Sequence, residues 1–185
     1  MCEGKKTEHQ YFSRIAAFFR ASSVNVATCD IEGMGKDPVS VVKRAIEKRD
    51  KAAKNVDEKY SQVWCVVDVD EHKNLEDALL LAKQNRIGVV VSNPCFEIWA
   101  LWHYEDHNAH ITTKAVQRKL KRWIPEYDKD LPGNFPYANC DEAKKRAVAR
   151  QKNTEGSISQ NPGSAAWLVV DAVKRAKSFN FKQRR

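Results

Sequence analysis

The alternation of apolar and polar positions divides the chain into short apolar runs and longer amphipathic stretches. Val63–Val67 is an unbroken apolar run of β-branched and aromatic residues that ends in Asp68 and Asp70. Such a run predicts a strand buried on both faces of a parallel sheet. Ser23–Thr28, with Val24 and Val26, and Ile87–Val91 predict two further short strands. Between them the apolar positions recur at helical spacing. Thr7 and Gln10 form a capping-box pattern ahead of Phe12, Ile15, Ala16 and Phe19. Asp37-Pro38 reads as an N-cap and first helical residue of a helix to about Lys59, with Val39, Val42, Ile46 and Ala53 inward. Asn74 and Asp77 open a helix through Asn85. Asn93-Pro94 starts a helix to Tyr104 so rich in Phe96, Ile98, Trp99, Leu101 and Trp102 that burial is expected.

The second part of the chain is different in kind. Helices are predicted from Thr112 or Thr113 to Trp123, with Val116, Leu120 and Trp123 inward. Two more follow, over Asp141–Lys152 and from a Ser164 cap to about Lys177. Residues 126–140 and 153–163 carry loop signals. No internal repeat, P-loop, Gly-x-Gly-x-x-Gly or nucleophile elbow is present in the sequence. Alternating strands and helices up to residue 104 predict an α/β fold with a mainly parallel sheet flanked by helices and a basic helical C-terminal extension. The expected division is an α/β core over 1–112 and a basic helical region over 113–185 packed on it.

Charge follows that division. The net charge of +8 over 185 residues is uneven: residues 1–112 hold 15 Lys and Arg against 17 Asp and Glu, whereas residues 113–185 hold 17 against 7. An acidic strand edge beside a basic region points to a polyanion partner. The candidate contacts are Lys114, Arg118, Lys121, Arg122, Lys144, Lys145, Arg146 and Arg150. Solvated helix faces are the plainer account of the same charges. No apolar run is long enough for a membrane span. Five scattered cysteines without a Cys-x-x-Cys pair suggest free thiols in a reducing cytoplasm.

The acidic edge carries the chemistry. Asp68 and Asp70 are two apart on a strand, so both carboxylates leave the same side and can converge on a hard cation such as Mg²⁺ or Mn²⁺. The plainer account is that both aspartates end the strand and begin a loop. Glu3 and Ser92–Glu97 fall at the same predicted edge, where open α/β sheets place their sites. Glu97 suits either the N-terminal dipole of its own helix or a place beside the strand tips. His103, His107 and His110 invite a zinc reading through the four-residue spacing of the first two, against the plainer account of solvated surface histidines.

Four segments together resemble the RloB-like family, a Toprim-related group of prokaryotic mobile-element and phage-defence loci. They are Cys2–Glu8 with Tyr11-Phe12, Trp64–His72, Ser92–His103, and Asn161–Ser164. The resemblance implies a Toprim-like fold in which Glu3, Asp68 and Asp70 serve Mg²⁺-dependent phosphodiester chemistry, as metal ligands and catalytic groups. Glu8, Ser92, Asn93 and Glu97 belong to the family's own motifs and take supporting roles. The chain departs from the Toprim pattern at its start, since the strand expected before Glu3 is almost absent. No protein nucleophile is evident, which favours hydrolysis by water over a covalent route. The expectation is thus a nuclease of prokaryotic anti-phage defence, of the abortive-infection kind, acting on DNA, RNA or tRNA. The alternatives are a non-catalytic nucleic-acid- or nucleotide-binding module partnering another defence protein, and a phosphohydrolase of small nucleotides.

Overall fold

A computed structural model describes residues 1–2, 6–27, 37–55, 59–69, 74–150 and 155–182. In chain order the elements are α1 (Thr7–Phe18), α2 (Pro38–Ala52), β1 (Trp64–Asp68), α3 (Leu75–Gln84), β2 (Gly88–Asn93), α4 (Glu97–Leu101), α5 (Thr113–Leu120), α6 (Cys140–Arg150), β3 (Gly163–Ser164) and α7 (Ala166–Lys182). A 3-10 turn over Tyr137–Asn139 leads into α6.

The fold is α/β, with a small mixed sheet in the order β1-β2-β3. β1 and β2 run parallel, pairing Trp64 with Gly88 through to Asp68 with Ser92. β3 returns antiparallel, pairing Ser92 with Ser164 and Asn93 with Gly163. On the other side of β1, Cys2 forms a single parallel bridge to Val66. The apolar run at β1 is buried over Cys65–Val67, and Val89–Val91 of β2 are buried too. Both strands therefore read as continuous apolar runs. Gly88 is required by packing, because a Cβ there would lie 2.6 Å from the Trp64 indole.

Two cores flank this sheet. On one face α2 and α3 bury Val41, Val42, Ala45, Leu75, Ala78 and Ala82 against Cys65, Val67, Val89 and Val91. On the other, α4 is enclosed by α1, α5, α6 and α7, and Phe96, Ile98, Trp99, Leu101 and Trp102 are all completely buried. The burial expected for the Pro94–Tyr104 stretch is therefore found. The four described cysteines, Cys2, Cys65, Cys95 and Cys140, are free thiols in these cores. Burial holds the Cys2 thiol up at about 12, so it is neutral at ordinary pH.

Several local expectations differ from the structure. Among the described residues of 23–28 no strand forms. The Ala27 carbonyl accepts from the Cys2 amide at 2.9 Å, and the Val24 amide turns back to the Ala21 carbonyl at 3.1 Å. The capping box at Thr7 is not made: Thr7 is already helical, and its hydroxyl is drawn instead to the Lys129 carbonyl at 2.8 Å and the Tyr127 hydroxyl at 3.0 Å. Asn93 ends β2 rather than capping a helix. Pro94 follows through a cis peptide bond, and α4 begins only at Glu97. Ser164 belongs to a strand, though its hydroxyl does accept from the Ala166 amide at the start of α7. Asp37 caps α2 as expected, accepting from the Ser40 amide at 3.0 Å. That helix ends at Ala52 instead of about Lys59, and its buried stripe is Val41, Val42, Ala45 and Ala52, with Ala53 exposed. Trp123, expected inward, is 47% exposed beyond the end of α5.

Candidate functional site at the carboxyl edge of the sheet

β1 and β2 are parallel and in register, so their last residues emerge side by side at one edge. Asp68 therefore stands beside Ser92, and the Val69 amide donates to the Ser92 carbonyl at 2.9 Å. Ser92 is buried, and its hydroxyl lies 2.9 Å from that of Ser164 on β3. Asn93 anchors the loop ahead of β3 by donating from Nδ2 to the Ser159 carbonyl at 2.8 Å. The Asn161–Pro162 peptide bond in that loop is cis, as is Asn93–Pro94. Thus the third and fourth sequence motifs meet through paired strands. Glu3 and Asp70 lie outside the described residues.

Glu97 opens α4 and is 5% exposed. Its Oε1 accepts from the Tyr127 hydroxyl at 3.0 Å and from Gln117 Nε2 at 3.3 Å. A buried carboxylate needs such donors, and here they come from α5 and the loop after it. Tyr127 also lies 3.0 Å from Thr7 Oγ1, so one phenol joins the start of α1 to the start of α4. The same loop holds α1 further along: Gln10 Oε1 accepts from the Leu131 amide at 2.8 Å, and the Arg14 guanidinium donates to the Leu131 and Pro132 carbonyls. Burial pushes the Tyr127 hydroxyl far above its ordinary range, with the Glu97 carboxylate adding to the shift, so it acts as a donor. Burial likewise raises the Cys95 thiol, and the carboxylates of Glu97 and then Asp68 add to it. Glu8 is also buried, in the first turn of α1.

Among the described residues no group of three or more His, Cys, Asp or Glu could hold a metal ion. The zinc constellation does not assemble. His103 is a core residue, 1% exposed, with Nδ1 donating to the Trp99 carbonyl at 3.0 Å and Nε2 left to accept from the Tyr11 hydroxyl at 3.1 Å. Burial lowers its pKa to about 4, with the Arg146 charge adding to the shift. It is therefore neither a ligand nor a solvated surface histidine. A cavity of about 600 Å³ lies at the opposite end of β1, lined by Met1, Val24, Val26, Trp64 and Val173 among others, away from the Asp68 edge.

The basic candidates divide into two groups. Lys114, Arg118, Lys121 and Arg122 stand exposed along α5 and the turn after it. Lys144 is 2.6 Å from the Asp171 carboxylate and 4.8 Å over the Trp167 ring, and Lys145 pairs with Glu142 at 2.6 Å. Arg146 donates to the Trp102 carbonyl and Arg150 to both oxygens of Asp106. Residues the sequence did not single out include Gln117 and Tyr127. Gln117 carried a weak signal, lying next to inward Val116, whereas Tyr127 sits in an irregular stretch and carried none.

Among the described residues, no helix is long and apolar enough to cross a membrane. A family model, that of RloB-like protein, matches residues 1–173. No curated protein and no solved structure matches the chain.

Proposed function

The chain belongs to the RloB-like family, and from that premise we propose that it is a metal-dependent phosphodiesterase of the Toprim type, acting on polynucleotides in prokaryotic defence against phage. The observation that carries the reading is the placement of Asp68. It closes a buried parallel strand directly beside Ser92, at the edge where α/β sheets build their sites. Cys2, the residue before Glu3, bridges Val66 in parallel, which supports bringing Glu3 to the same edge. The donors at this edge are hard oxygens, which suit Mg²⁺ or Mn²⁺. Asp68, with Asp70 and Glu3, would hold such an ion. When bound, the ion would supply charge neutralisation for a phosphate and acidify a water.

The protein's own groups have separable tasks. Ser92 and Ser164 tie the tips of β2 and β3 together, which keeps the Asp68 edge rigid. Glu97, whose Oε1 accepts from Tyr127 and Gln117, fixes α4 and α5 against the edge. Glu3 is assigned proton transfer at the attacking water. The exposed cations of α5 supply the polyanion contact.

The deciding experiment incubates purified protein with Mg²⁺ or Mn²⁺ and a panel of DNA, RNA and tRNA, beside Asp68→Asn. Cleavage by wild type and none by the variant is expected; equal products from both would remove the reading. One observation favours a second reading, a non-catalytic nucleic-acid-binding module: Glu97 Oε1 is already held by Tyr127 and Gln117. Salt-sensitive binding with no metal-dependent cleavage would select that alternative.

A further inference from the structure

We propose that Trp123 and the basic outer face of α5 form a binding site for unpaired nucleotides, with the Trp123 indole as the platform on which a base stacks. This deepens the reading of the protein as one that acts on polynucleotides and rests on it.

The indole is held in place yet left open to water. Its ring stacks on Tyr104, with centroids 5.4 Å apart and planes 20° from parallel. Its Nε1 donates to Glu105 Oε2 at 2.9 Å, and the other oxygen of that carboxylate accepts from Lys119 Nζ at 3.1 Å. Tyr104 is itself braced edge-on by buried Phe135, at 5.6 Å. Stack and hydrogen bond together fix the ring's tilt and its rotation about the side chain. Yet Trp123 remains 47% exposed with one face stacked on Tyr104. Holding an indole in place while leaving it exposed keeps apolar area in water for no gain in folding.

The surroundings say what would cover it. Arg122 precedes Trp123 and adds its charge to the field at Glu105. Lys114 and Arg118 of α5 and Lys121 just after it are exposed too. Gln117 lies on the same helix and reaches Glu97, so the cationic helix borders the carboxyl edge of the sheet. An apolar peptide would not favour a helix that carries these cations, and a duplex would offer its phosphates while keeping its base faces stacked inside. Unpaired nucleotides satisfy both features: phosphates meet the Lys and Arg side chains, and a base takes the exposed indole. Stacking does not discriminate ribose from deoxyribose, so the shared chemistry is the phosphodiester chain with an exposed base.

The test is fluorescence anisotropy with labelled single-stranded and duplex oligonucleotides, in DNA and RNA arms, without divalent metal so that no cleavage intervenes. Wild type should bind single strands more tightly than duplex. Trp123→Ala should weaken single-strand binding about tenfold or more, the loss typical of one base–aromatic stack, with duplex affinity and the salt slope unchanged. Trp123→Tyr should restore most of the loss. Trp123→Leu, which keeps an apolar cover on Tyr104 without a π face, should not, so a packing effect is separated from stacking. Lys121→Glu should flatten the salt dependence instead. Single-strand affinity unchanged in Trp123→Ala and Trp123→Leu overturns the proposal, as does equal or tighter binding of duplex, or no binding of single strands. Asp68→Asn should retain all of this binding. Wild-type binding of this pattern with no cleavage under Mg²⁺ would therefore sink the phosphodiesterase reading and leave this site standing.

Discussion

Removing the Tyr127 hydroxyl tests whether Glu97 is a structural carboxylate. In Tyr127→Phe the ring can stay in place, but Glu97 Oε1 loses its 3.0 Å donor and Thr7 loses a hydroxyl neighbour at the same distance. Gln117 remains as a longer donor at 3.3 Å. Hydrogen bonds to charged groups contribute roughly 1.5–3 kcal/mol, and a buried acceptor left short of donors falls within that range. The expected loss is therefore about 2 kcal/mol, which for a chain of this length lowers the melting midpoint by roughly 4–8 °C. Calorimetry or urea unfolding, beside the exposed control Leu80→Ala, reads it out. A double-mutant cycle with Glu97→Gln should give a coupling of at least about 1 kcal/mol, because both changes act on one bond. A shift in Tyr127→Phe no larger than in Leu80→Ala, or strict additivity in the cycle, would show that the bond does not hold α4.

Three further predictions concern other parts of the molecule. His103 has a folded pKa of about 4, below its usual value near 6.5, so its contribution is fully present above about 6.5 and is lost as pH falls towards 4. The midpoint should drop by an amount equivalent to roughly 3 kcal/mol over that interval; His103→Gln, less stable at neutral pH, should show a shallower decline, and parallel pH curves would refute the assignment. Millimolar Mg²⁺ or Mn²⁺ should raise the melting midpoint of wild type and not of Asp68→Asn, by preferential binding to the folded state; an equal rise in both would detach Asp68 from any metal. Charge reversal should separate the two basic groups: Arg146→Glu removes a donor from the Trp102 carbonyl and should destabilise by about 1–3 kcal/mol, whereas exposed Lys121→Glu should stay within about 0.5 kcal/mol of wild type, and matching losses would contradict the division.

The elements whose burial is written into composition were legible without coordinates. β1 and β2 needed only an apolar, β-branched run, and the Phe96–Trp102 stretch had no polar face on which to be exposed. The Asp37-Pro38 start of α2 was equally plain, since a side-chain cap and a proline act within one turn. From β1 alone the sequence determined that Asp68 ends a buried strand, and from the chain as a whole that the cations lie late and the acidic strand edge early. It could not determine partners across long separations. Thr7 looked like a local cap, yet its hydroxyl goes to residues 120 and more positions away. Glu97 was left between a helix dipole and the strand tips, and the answer came from Tyr127, in a stretch with no periodic signal. His103 was left between a zinc ligand and a solvated surface histidine, because four-residue spacing says nothing about burial. Arg146 and Lys121 are alike as letters, but one completes a buried carbonyl and the other meets water. Local backbone preference and hydrophobic period act over a few residues and are carried in the sequence. Which distant donor satisfies a buried acceptor is decided only when the cores close, because the cost of leaving it unsatisfied is incurred there and nowhere earlier.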